Sequence, residues 1–202
     1  MRTIRRRRFA RRLTIAVAGL LVVPVTAVAA PRGLPGELCE SDPPDADYVD
    51  RDAIPDVHLD AVDCLTDLGI AEGLGNDLGT VYLPAANVRR DQMASFVART
   101  LTEVGAALPA AAGLDFDDVE PTSPHATAIS RLTQAGIVEG KSDDRYAPAE
   151  WVDRNEMATF LTRALAFSGG VEDDDLQGGE TPFTDVAASG VHAPSIAGAY
   201  EL

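Results

Sequence analysis

Along residues 90–101 the core-type positions are Met93, Phe96, Val97, Thr100 and Leu101, and along residues 154–165 they are Met157, Phe160, Leu161, Ala164 and Leu165. Both sets follow the offsets 0, 3, 4, 7 and 8, which lay one stripe of a helix against a core. The first of these helices is predicted over 90–103. A shorter helix is predicted upstream over 58–68, with Val62, Leu65 and Leu68 on one face. Gly69-Ile70 and Gly136-Ile137 each place a glycine just past such a helix end, where a positive φ closes it. A short extended excursion then leads to Pro84 or Pro148 before the next helix. The pattern is helix, turn, excursion, helix, written twice.

The two runs are copies of one unit. Ala135-Gly136-Ile137-Val138-Glu139-Gly140 answers Leu68-Gly69-Ile70-Ala71-Glu72-Gly73, and Tyr146-Ala147-Pro148 answers Tyr82-Leu83-Pro84. Phe116-Asp117-Asp118-Val119 recurs as Ile54-Pro55-Asp56-Val57 and as Phe183-Thr184-Asp185-Val186. His58, His125 and His192 are 67 residues apart each time, and Met93 and Met157 are 64 apart. The difference sits in the excursion, which is longer in the first copy, and loops are where repeated units tolerate insertions. The third copy holds one helix, expected through Ser195 to Tyr200. The sequence therefore divides into a first copy at 53–104, a small-residue linker at 105–114, a second copy at 115–167, a Gly-rich acidic linker at 168–180 and a truncated third copy at 181–202. A unit of roughly 50 residues is marginal for burying a core alone, so the copies are expected to share one all-α core.

Residues 1–29 stand apart. Arg2, Arg5 to Arg8, Arg11 and Arg12 precede an apolar run from Leu13 to Val28, and Ala27-Val28-Ala29 offers a small-residue cleavage site. This is the pattern of a secretory signal peptide. Arg6-Arg7-Arg8-Phe9 also fits a twin-arginine pattern loosely, so the export route, general or twin-arginine, stays open, as does retention of the run as an anchor. The leader holds seven of the 17 basic residues and none of the 32 acidic ones; what remains is 10 basic residues against 32 acidic, a formal charge of −22. Such a chain repels nucleic acid and anionic lipid. Residues 30–52, with Pro31, Pro35, Pro43 and Pro44 among many acids, read as a flexible, disordered linker. Cys39 and Cys64 are the two cysteines, and in an exported protein a disulfide between them would clip that linker to the first copy.

Candidate chemistry is sparse. The three histidines occupy one place in each copy, at the start of the first helix, which points to a shared structural role and not to a metal site. No serine or cysteine sits in a nucleophile motif, so no catalytic residue, metal or cofactor is expected. Asp153-Arg154-Asn155-Glu156 reads as a capping box, Asp153 accepting from the fourth amide and Glu156 reaching back. The arginines fit this less well. A cation in a first helical turn opposes the helix dipole by roughly 0.3–1 kcal/mol, and the first copy places both Arg89 and Arg90 there. Free amides beside a guanidinium fork suit a carboxylate or phosphate; a salt bridge to nearby acids would also satisfy them. Trp151 lies just before the second motif, where it could line a sugar site or pack.

The order Phe-x-Asp-Val, His, Ala-Gly-Ile-Val-x-Gly, Tyr-x-Pro and Val-x-Arg-x-x-Met-Ala-x-Phe-Leu-x-Arg-Ala-Leu resembles the S-layer homology (SLH) domain, most fully from Phe116 to Leu165. The resemblance implies an SLH-type helical pseudo-trimer, here incomplete, with two main helices per repeat. It also implies noncatalytic, noncovalent anchoring of an exported protein to an anionic secondary cell-wall polysaccharide of bacteria, often carrying a pyruvate ketal. The family's Thr-Arg-Ala-Glu motif falls on Arg89-Arg90-Asp91-Gln92 and Asp153-Arg154-Asn155-Glu156. Arg90, Arg154 and Glu156 match, Gln92 replaces the acid, and threonine is absent from both. The implied glycan-binding set is Arg90, Arg154, Glu156, Trp151 and Arg89, at the cell wall or cell surface. The alternative is a structural module that associates with itself or another protein through the incomplete third copy and binds no sugar.

Overall fold

The computed structural model describes Cys39 and residues 43–114, 116–171 and 181–201; the leader and most of the acidic linker before the third copy lie outside them. A 3-10 turn at Arg51–Ala53 precedes helix α1 (Asp56–Asp67), a hairpin of strands β1 (Leu74–Asn76) and β2 (Gly79–Val81), and helix α2 (Arg90–Glu103). Helices α3 (Ala126–Gln134), α4 (Arg154–Phe167) and α5 (Ala193–Glu201) follow. The architecture is mainly helical. The extra length of the first excursion is spent on the antiparallel β1–β2 pair, with Asn76 opposite Gly79, where the second excursion makes a single bridge between Ser142 and Arg145.

Each first helix ends as its glycine requires. Gly69 and Gly136 take φ of +66° and +69°, and the next amides, of Ile70 and Ile137, return to the carbonyls of Leu65 and Leu132 at 2.8 and 2.9 Å. The main core gathers Met93, Val97 and Leu101 of α2, Ile129 and Leu132 of α3, Phe160 of α4, and Phe116, Val119, Ile137, Val138 and Tyr146 between them. The periodic stripes are only partly inside it. Ala94 and Ala98 are buried as well, small enough to let α3 approach α2, whereas Thr100 and Leu161 are exposed. The outer part of both stripes lines an apolar groove of about 430 Å³ shared with Leu65, Ile70 and Tyr82.

Two expectations from the sequence change here. Residues 43–52 are not a disordered linker. Ala46 and Tyr48 are each 6% exposed, the Ala46 amide donates to Asp63 Oδ1 at 2.8 Å, and Arg51 forms an ion pair with Asp63. The structure joins Cys39 to Cys64 in the same region. The proline and acid content concealed one buried aromatic, which is enough to order the segment.

That aromatic also corrects the alignment of the first copy. The counterpart of Phe116-Asp117-Asp118 is Tyr48-Val49-Asp50, not Ile54-Pro55-Asp56. The Asp118 carboxylate accepts from the amides of Tyr146 and Ala147, both at 2.8 Å, and Asp50 accepts from Tyr82 and Leu83, both at 2.8 Å. Phe116 and Tyr146 rings lie 5.5 Å apart at 42°, and Tyr48 and Tyr82 rings 5.4 Å apart at 46°. The Asp117 amide donates to Asp144 O at 2.8 Å, and the Val49 amide to Thr80 O at 3.0 Å. In both copies an aspartate pins the excursion, and an aromatic ring presses on a glycine that no larger residue could replace: a Cβ would stand 2.7 Å from Phe116 at Gly140 and 2.6 Å from Tyr48 at Gly73. The stretch at 105–114 is likewise held, with Leu108 buried and Arg131 Nε donating to Pro109 O at 2.9 Å.

Candidate functional site

The starts of α2 and α4 lie edge to edge. The Arg90 amide donates to Glu150 O at 2.9 Å, the Asp91 amide to Pro148 O at 3.1 Å, and the Val152 amide to Val88 O at 2.9 Å. Arg89 and Trp151 face each other across an antiparallel bridge. These bonds satisfy first-turn amides of α2 that no intrahelical acceptor can reach. Glu156 reaches back to the Asp153 amide at 3.3 Å, and Gln92 to the Arg89 amide at 3.0 Å. The Glu156 amide also donates to Asn155 Oδ1 at 2.9 Å, and the Gln92 amide to Asp91 Oδ1 at 2.7 Å.

Within this junction Arg90 is 3% exposed. Its Nε donates to Tyr146 O at 3.0 Å, Nη2 to Glu139 O at 3.0 Å, and Nη1 to Glu156 Oε1 at 3.1 Å. The guanidinium carbon sits 4.9 Å from the centre of the Tyr146 ring and 5.4 Å from that of Phe160, within reach of both ring quadrupoles. The Tyr146 hydroxyl in turn donates to Arg90 O at 3.0 Å. Glu156 is also buried and accepts from Lys141 Nζ as well. Burial pushes its carboxyl upward, but Lys141, Arg90 and the Asp153 amide together hold it below the ordinary glutamate value. Burial raises the Tyr146 phenol well above its ordinary value.

The residues expected to meet a glycan therefore separate. Arg90 is directed at Glu156 and at backbone carbonyls of the second copy, Glu156 accepts from Arg90, Lys141 and the Asp153 amide, and neither presents its charge to solvent. The expectation of an open guanidinium at Arg90 gives way to a buried strut, because three acceptors and two rings converge on it. Arg89 is partly exposed and held by Asp91, with Nε to Oδ1 at 3.0 Å and Nη2 to Oδ2 at 2.7 Å. Trp151 is 55% exposed. Arg154 is exposed, and among the described residues it makes no hydrogen bond or ion pair. It lines an open groove of about 770 Å³ with Asp153, Asn155, Phe183 and Tyr200. Lys141, the chain's only lysine, joins the buried network, and that rarity was its one sequence signal.

The histidines reach between copies and not into their own helix starts. His125 Nδ1 is hydrogen bonded to Ser95 Oγ of α2 at 2.8 Å, and His192 Nδ1 to Thr159 Oγ1 of α4 at 2.8 Å. His58 is exposed and has no such partner among the described residues. Among those residues no group of three or more His, Cys, Asp or Glu side chains is placed to hold a metal ion.

A family model described as the S-layer homology domain matches residues 115–158. The matched span runs from the Phe116 landmark through α3 and the second excursion into the start of α4, so it includes Trp151, Arg154 and Glu156 and begins after Arg89 and Arg90. S-layer homology domains are noncatalytic cell-wall-anchoring modules of cell-surface proteins. No curated protein matches the chain.

Proposed function

We propose that this chain is a noncatalytic module of an exported protein that holds to the bacterial cell envelope by binding an anionic wall polysaccharide at the start of α4. The observation that carries this reading is an exposed cation and an exposed aromatic close together in sequence at the start of α4. Trp151 is 55% exposed and bridged to Arg89, and Arg154 stands three residues further on, unpaired among the described residues. A large exposed indole offers a stacking platform for a sugar ring, and a guanidinium offers a bidentate donor for a pyruvate or other carboxylate substituent. Asp153 and Asp185 line the same groove as Arg154, so the guanidinium is the one cationic group among its lining residues to meet an anion. Arg90 and Glu156 support the site by fixing the α4 start against α2 without touching the ligand. A signal peptide at 1–29 would deliver the module to the wall.

Pelleting of the purified protein with isolated bacterial cell walls tests this. Trp151→Ala and Arg154→Ala should each weaken binding about tenfold, the loss of a stacking contact or a charged hydrogen bond. A Trp151→Ala, Arg154→Ala double variant that pellets like the unaltered protein would remove the glycan reading.

A further inference from the structure

The seat that holds Arg90 has a counterpart in the first copy. Arg90 rests on the carbonyls of Glu139 and Tyr146, the side chain of Glu156 and the rings of Tyr146 and Phe160. The internal alignment maps these residues onto Glu72, Tyr82, Gln92 and Phe96. All four line one cavity of about 300 Å³. Among the described residues no side-chain donor reaches the Glu72 or Tyr82 carbonyl, and Tyr82 and Phe96 are only half-buried, where Tyr146 and Phe160 are fully buried around the guanidinium. The side chain that corresponds to Arg90 is Arg154, which is exposed on α4 at the other groove. Among the described residues there is thus an arginine outside any such seat and a seat that holds no arginine.

We infer that the cavity lined by Glu72, Tyr82, Gln92 and Phe96 is a guanidinium socket and that its occupant is Arg154 of a second copy of this chain. The seated group would repeat the contacts of Arg90: two backbone carbonyls, one side-chain acceptor at the Gln92 position, and two aromatic faces. Gln92 supplies a neutral amide oxygen where the second copy has the Glu156 carboxylate, so the contact between molecules is weaker than the one within the chain. Three other groups that can carry positive charge, Arg89, Arg99 and His125, line the cavity. Arg89 is already neutralised by Asp91 and Arg99 by Glu72, with N to O distances of 2.7 and 2.5 Å, and His125 is hydrogen bonded to Ser95. Donor and receiver are different surfaces, so the contact is head-to-tail and grows into rings or filaments instead of stopping at a symmetric dimer.

The inference does not rest on wall binding, and its test contains no wall material. Sedimentation velocity of the purified chain over a concentration series should show reversible association beyond a dimer. Arg154→Glu and Gln92→Arg should each leave a folded monomer, with folding checked by circular dichroism. Gln92→Glu, which restores the acid found at the seat of Arg90, should tighten association about tenfold. Mixing Arg154→Glu with Gln92→Arg leaves one intact arginine and one intact socket, and should yield a dimer that grows no further. A chain that stays monomeric throughout overturns the inference, as does a mixture that stays monomeric. Association that survives Arg154→Glu and is lost in Leu161→Glu also overturns it, by assigning the contact to the apolar groove between α1, α2 and α4.

Discussion

Arg90 and Arg154 hold the same place in the two copies, yet their replacement by alanine should have very different effects on stability. Arg90→Ala removes three hydrogen bonds from a site that is 3% exposed and opens a gap between the rings of Tyr146 and Phe160. It leaves the carbonyls of Glu139 and Tyr146 without their donor and takes one cation from the buried Glu156 carboxylate. Removing one partner of a buried ion pair costs about 3–5 kcal/mol. Lys141 and the Asp153 amide still face Glu156, so the lower end, about 3 kcal/mol, is the expected loss. For a domain of this size that is a fall in Tm of about 6–12 °C. Arg154→Ala removes an exposed side chain and should change stability by no more than about 0.5 kcal/mol.

The assay is urea unfolding followed by far-ultraviolet circular dichroism, with the slopes compared to confirm that the same surface is exposed in each variant. Arg90→Lys sharpens the result. It keeps the charge but not the fork that meets two carbonyls and a carboxylate together, and should recover only part of the loss. If Arg90→Ala cost less than about 1 kcal/mol, or if the two alanine variants were equally stable, the assignment of Arg90 as a strut between copies would be wrong.

Two further outcomes follow from the same contacts. His125→Ala should cost about 1–2 kcal/mol, since it leaves the buried Ser95 hydroxyl without its partner, while the exposed His58→Ala should be close to neutral; thermal melts of the pair at neutral pH decide this. Stability should also fall on acidification, because the carboxyls of Asp63, Asp50 and Glu156 all lie below their ordinary values. The Arg51 side chain is the chief cause at Asp63 and the Tyr82 amide at Asp50, while at Glu156 the cations and an amide outweigh burial. A depressed folded-state value means that the unfolded chain binds more protons, so the contribution is complete above about pH 5 and is lost as pH drops through the folded values. Melting temperatures measured from neutral pH downward should decline in that window, and Asp63→Asn should flatten the decline.

How much of this was legible depends on whether the cause lay in side-chain spacing or in backbone. The α2 helix, the glycine stops at Gly69 and Gly136 and the correspondence of Met93 with Met157 could all be read, because each rests on a local period or on a residue type with one dominant conformational use. The register of the first copy was misread for a comparable reason. Ile54-Pro55-Asp56-Val57 looks more like Phe116-Asp117-Asp118-Val119 than Tyr48-Val49-Asp50-Arg51 does, and only the bonds from Asp50 to the Tyr82 and Leu83 amides show which aspartate does the pinning. The fate of Arg90 could be read only as two alternatives. Two of its three acceptors are main-chain carbonyls 49 and 56 residues away, and carbonyls leave no signature in a sequence. A cation at a helix start is unfavourable within its own helix, so spacing left an external anion and a salt bridge to nearby acids both open. What Arg90 meets is an internal set of acceptors supplied by the next copy. By the same logic an exposed arginine at the matching position marks a junction with no partner among the described residues. Arg154 is therefore the residue at which the proposed binding of a wall polymer and the proposed docking of a second molecule would compete.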